Sequence, residues 1–96
     1  MKKKNNKQKI YYVYLIYDVS NDKNNKVFKI CKQYLNHIQL SVFNGEITPS
    51  KLLELKLKLE KIIDKTTDSI LILEFRNKND VIQEKLGKDI DYEKFI

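Results

Sequence analysis

The sequence predicts an α+β domain of ferredoxin-like, split-βαβ topology: an antiparallel βαββαβ sheet with two helices on one face, a C-terminal extension, and a homodimer through the other face. Three observations predict it. Residues 10–18 and 69–75 are strand-length apolar runs with no polar alternation, so both suit the sheet centre. Two amphipathic helical patterns lie between them. Between the helices sits a short alternating segment with a turn signal. Right-handed crossovers place both helices on one face, and the apolar residues on the other face need a second copy as cover.

The first run, Ile10 to Asp18, is rich in Tyr, Ile and Val and is followed at once by turn formers. Alternation puts Ile10, Tyr12, Tyr14, Ile16 and Asp18 on one face and Tyr11, Val13, Leu15 and Tyr17 on the other. Ser20, Asn21 or Asp22 can cap a helix from Lys23 to Leu35, in which Val27, Ile30, Cys31 and Tyr34 recur at helical spacing. Cys31 reads as a small core residue and His37 as a loop residue. Neither has a second ligand at metal-binding spacing. Ile38 to Phe43 alternates as a half-buried strand. Asn44-Gly45 is a type I′ turn signal, so a return strand is expected over Glu46-Ile47-Thr48.

Thr48-Pro49 supplies a capping hydroxyl and a proline at the first helical position. The helix it opens carries Leu52, Leu55, Leu59 and Ile62 as a stripe, widened by Leu53, Leu57 and Ile63. Asp64 to Asp68 ends it. Ser69 to Phe75 then forms the second central strand, expected to be buried on both faces. The predicted organisation is a basic leader over 1–9, the domain over 10–78, and a tail over 79–96. The apolar residues of that tail are too sparse for a core of their own and should dock on the dimer partner.

The 96 residues carry 19 Lys and Arg against 13 Asp and Glu, a net charge of +6 with a sequence pI near 9.3, which favours polyanionic partners. A lone cysteine excludes an internal disulfide and a multi-cysteine zinc site. No stretch is apolar over membrane-spanning length, so a cytoplasmic protein without a membrane partner is expected. With no glycine-rich loop, cysteine pair or second acid at hand, nothing supports a small-molecule pocket.

Five short motifs, in this order and spacing, resemble a known family. They are Tyr17-Asp18-Val19-Ser20, Lys26-Val27, Gln39-Leu40-Ser41-Val42-Phe43 ahead of a Gly-Glu pair, Asp68-Ser69-Ile70, and Leu86-Gly87-Lys88. Together they resemble the small CRISPR-associated endoribonuclease of the adaptation module. The resemblance implies a ferredoxin-like homodimer that bridges the spacer integrase and holds double-stranded DNA for spacer acquisition. The alternative it implies is a metal-dependent endonuclease that uses Mg²⁺ to cut single-stranded RNA or double-stranded DNA.

The family's catalytic metal ligand maps onto Asp18, and its dimer centre maps onto Tyr17, Ser41 and Phe43. Where members carry arginines ahead of the first helix, this chain has Lys23, Asn24, Asn25 and Lys26. Lys23, Lys26 and Lys29 are accordingly the expected phosphate contacts, supplying charge without arginine's bidentate fork. From the residues alone Asp18 has two readings. It can open a turn, or it can meet its symmetry mate at a dimer axis so that the pair shares one Mg²⁺.

Overall fold

The computed structural model describes residues 9–87, so most of the leader and the tail beyond Gly87 lie outside the described residues. The elements are β1 (Tyr11–Asp18), α1 (Asn21–Tyr34), β2 (Asn36–Gln39), β3 (Val42–Ile47), α2 (Pro49–Glu60) and β4 (Ser69–Phe75), followed by a 3₁₀ turn at Lys78–Asp80. The sheet order is β2-β3-β1-β4, and every neighbouring pair is antiparallel. This is the ferredoxin-like arrangement. β1 lies inside it, paired on both edges.

The alternation read from the sequence governs the burial. Val13, Leu15 and Tyr17 of β1 point under the helices with Phe43 and Ile47 of β3. They meet Val27, Cys31 and Leu35 from the α1 side and Leu52, Leu55 and Leu59 from α2. Val13, Leu15, Val27, Phe43 and Leu55 are fully excluded from solvent, each burial contributing roughly 1.5–3 kcal/mol. Burial pushes the Cys31 thiol up to about 12, which suits an inert packing group. Helix α2 begins as expected: the Thr48 hydroxyl accepts from the Lys51 N–H at 3.3 Å, with Pro49 at the first helical position.

Three expectations need correction. Leu53 and Leu57 do not widen the core stripe of α2. They are 57% and 51% exposed, because the sheet meets only the Leu52–Leu55–Leu59 line of the helix. Strand β4 is not buried on both faces within one chain: Ile70 and Ile72 pack on the core, whereas Leu71 and Leu73 are exposed.

The third correction concerns the hairpin. It turns at Leu40-Ser41, and Asn44-Gly45 lies in the middle of β3, opposite Tyr14 and Val13 of β1. Tertiary contacts claim both residues. The Asn44 amide donates to the Tyr12 hydroxyl at 2.7 Å, and a Cβ on Gly45 would come within 3.3 Å of Leu35 Cδ2. Pairing β3 with β1 over six residues outweighs the local turn preference. Leu40 consequently takes a positive φ of 43°, and the His37 ring nitrogen Nε2 braces the turn by donating to the Leu40 carbonyl at 2.8 Å.

This misplaced glycine and ill-suited leucine should respond with opposite signs. Gly45→Ala meets both a positive φ of 156° and the Leu35 methyl, and should lower stability by more than about 1 kcal/mol in a denaturant titration. Leu40→Gly relieves a left-handed leucine that is mostly exposed, and should raise stability by up to about 1 kcal/mol. A stabilising Gly45→Ala would mean that neither the positive φ nor the Leu35 contact constrains this position.

Candidate functional site

The sheet's two faces end in different chemistry. On the face away from the helices, β1 presents Tyr12, Tyr14, Ile16 and then Asp18. Their partners across the ladders are Glu46, Asn44 and Val42 on β3 and Phe75, Leu73, Leu71 and Ser69 on β4. The result is a largely apolar field. Asp18, an exposed carboxylate, stands at one end of it opposite Ser69. The start of the tail lies over the middle of the field, where the Tyr14 hydroxyl and the Asn44 amide both donate to the Gln83 side-chain oxygen.

Beside Asp18 lies a second carboxylate in a different environment. The Asp68 side chain is wholly excluded from solvent. Its Oδ1 accepts the Ser20 N–H at 3.0 Å, and its Oδ2 accepts the Asp64 N–H at 2.8 Å and the Lys23 ammonium at 2.7 Å. The Asp64 N–H, the Lys23 ammonium and the Ser20 N–H together hold this carboxyl down to about 2. The folded value lies below the ordinary 3.8, so the stabilisation is fully present above that pH and is lost as pH falls from there toward about 2. Asp64 is occupied in its own turn, accepting from the Thr66 N–H and hydroxyl at 2.9 and 2.6 Å.

Among the described residues no three His, Cys, Asp or Glu side chains converge to hold a metal ion. Asp68 has no oxygen to spare. Asp64 and Asp22 each commit one oxygen to a local turn, and Asp18 is an exposed carboxylate at this end of the sheet. As a hard oxygen donor it suits Mg²⁺, and a second Asp18 across a twofold axis would double the negative charge offered.

The other expected site residues divide. Lys26 and Lys29 are exposed along α1, where a phosphate could reach them. Lys23 is turned onto Asp68, its side chain only 23% exposed, so a phosphate would have to compete with a buried ion pair. Tyr17 and Phe43 lie in the core beneath the helices, stacked with ring centroids 6.2 Å apart, and not on the open face. Ser41 sits in the hairpin turn, where its carbonyl accepts the Tyr17 N–H at 3.1 Å. Sequence reasoning gave Asp68 no role. Its place in the Asp68-Ser69-Ile70 motif ahead of an apolar strand was the signal that marked it as more than a linker residue.

Comparison with known proteins identifies the family and supports the fold. The family described as "CRISPR associated protein Cas2" matches residues 11–81. A CRISPR-associated endoribonuclease Cas2 of Thermodesulfovibrio yellowstonii is 45% identical over 76 residues, covering 79% of this chain and 86% of that protein. One from Fusobacterium nucleatum is 40% identical over 85 residues, covering 83% and 80%. Among solved structures, a crystal structure of Cas2 superposes with a TM-score of 0.77 at 39% identity, covering 83% of this chain and 90% of the other. Streptococcus pyogenes Cas2 superposes with a TM-score of 0.67 at 34% identity, covering 79% and 99%. A family match through the whole sheet, with this identity over most of the chain, makes the protein a member of the Cas2 family of CRISPR-associated proteins.

Proposed function

We propose that two copies of this chain join through their open sheet faces, and that the dimer bridges subunits of the spacer integrase while holding short duplex DNA for acquisition. The observation that carries this reading is the open face itself. Tyr12, Tyr14, Ile16, Leu71, Leu73 and Phe75 form a contiguous field, with Leu71 and Leu73 56% and 42% exposed in the single chain. Apolar surface gathered in this way is the signature of an interface. A twofold pairing through this face would also carry a second Asp18 to the interface.

A second reading, metal-dependent cleavage of RNA or duplex DNA, is favoured by the endoribonuclease names of the relatives. In it Asp18 would hold the Mg²⁺, and the ion would supply charge stabilisation at the phosphoryl group and an acidified water. Lys26 and Lys29 supply positive charge for the backbone in either reading.

Three measurements test these assignments. Sedimentation at micromolar concentration should give twice the 11.5 kDa chain mass, and Leu71→Asp should return it to monomer; a wild-type monomer would refute the shared interface. Duplex binding should be tolerant of sequence and weaken steeply with salt, with Lys29→Ala reducing the logarithmic salt slope by about 1 for each phosphate it ceases to neutralise. A flat salt profile would count against duplex holding. Asp18→Asn keeps the shape of the side chain and removes its charge. It should abolish any cleavage by orders of magnitude while dimerisation, integrase binding and spacer acquisition continue. If the intact variant dimer binds the integrase and DNA but acquires no spacers, the bridging reading of Asp18 fails.

A further inference from the structure

Resting on the reading of Asp18 as the metal-holding carboxylate, we infer that Asp68 is its positioning residue: it ties the backbone leaving Asp18 to the strand that faces Asp18 and, being saturated, leaves the cation to Asp18. The geometry is specific. Ser20 lies two residues beyond Asp18, and its N–H donates to Asp68 Oδ1 at 3.0 Å. Ser69, the residue after Asp68, pairs with Asp18 across the β1–β4 ladder. One buried carboxylate thus ties the chain leaving Asp18 to the strand facing Asp18.

Its second oxygen holds the Asp64 N–H at 2.8 Å, which fixes the loop that leads into β4, and the Lys23 ammonium at 2.7 Å, which neutralises it. An exposed carboxylate at the end of a strand would otherwise drift with the loop that follows. Ser20 does not restrain itself, since its hydroxyl donates to Asp22 at 2.6 Å and does not cap α1. Two carboxylates close in the fold thereby differ in role: Asp68, desolvated and fully hydrogen-bonded, is structural, and Asp18, exposed, is open to ligand.

Lys23 follows from the same arrangement. It stands in the first turn of α1, where a phosphate contact was expected, yet its ammonium is the counter-ion of Asp68. Its effect on nucleic acid is exerted through the placement of Asp18.

The test is Mn²⁺ binding to the full-length protein, read by the electron paramagnetic resonance of free Mn²⁺, with Ser20 amide hydrogen exchange measured alongside. In Asp68→Asn the Mn²⁺ dissociation constant should rise on the order of 10-fold, and Ser20 exchange should accelerate. Ser20→Pro is the second variant: it deletes the donated N–H without altering Asp68, and the Ser20 φ of −62° already suits proline. It should weaken Mn²⁺ binding similarly even if Asp68→Asn does not fold. Thr66→Val loosens the same loop without reaching Ser20 and should leave the dissociation constant unchanged.

Wild-type affinity in both Asp68→Asn and Ser20→Pro would overturn the inference while leaving Asp18 as the metal ligand. Equal loss in Thr66→Val would overturn it in favour of general loop stability. Wild-type protein with no Mn²⁺ binding that Asp18→Asn removes would overturn the metal reading of Asp18 and the positioning role together.

Discussion

A central strand that is apolar on both faces cannot be satisfied by one layer of helices, and most of this structure follows from that constraint. β1 is paired on both edges, so its backbone is consumed by the sheet and only its side chains remain to be covered. Val13, Leu15 and Tyr17 are covered by α1 and α2. Among the described residues no helix covers Tyr12, Tyr14 and Ile16, which meet the start of the tail at Gln83, and the exposed Leu71 and Leu73 of β4 extend the same field. The described residues build one good core and leave the second face of the sheet largely without cover.

The polar counterpart of that core is Asp68. Burying a carboxylate is costly unless its charge is paired and its lone pairs are occupied, and here two backbone N–H groups and one ammonium meet both needs. These contacts join two stretches distant in sequence: Ser20 to Lys23, where the loop after β1 runs into the first turn of α1, and Asp64 to Asp68, the loop before β4. The joint lies at the same end of the sheet as Asp18. Rigidity at that end and chemical openness at Asp18 are thus the work of two like residues in unlike surroundings. The surroundings, rather than the residue type, separate their roles.

The Cas2 family places this fold among CRISPR-associated proteins, and the physical features particular to this chain sit within that frame. Lys26 and Lys29 are exposed on α1, while Lys23 is committed to an internal pair. Lysine gives charge density without a fixed fork, a property suited to a partner held by its backbone and not by its base edges.

By itself the sequence determined the two apolar strands, the phase of alternation along β1, the Thr48-Pro49 start of α2 and the inert role of Cys31, because each depends on local periodicity or on one residue's own chemistry. It also placed Asp18 on the open face, since alternation alone decides that. The tertiary structure decided the rest. Asn44-Gly45 reads as a turn and becomes mid-strand, because pairing along the length of β1 and the closeness of Leu35 outweigh a two-residue preference. Leu53 and Leu57 match the helical stripe but miss the core, since periodicity cannot say how wide a face the sheet will touch. Tyr17 and Phe43 carry the family motif to the covered side of the sheet. Asp68 and Lys23, 45 residues apart, meet only after α2 has crossed the sheet and returned the chain to the end of β1, a contact that no local pattern encodes.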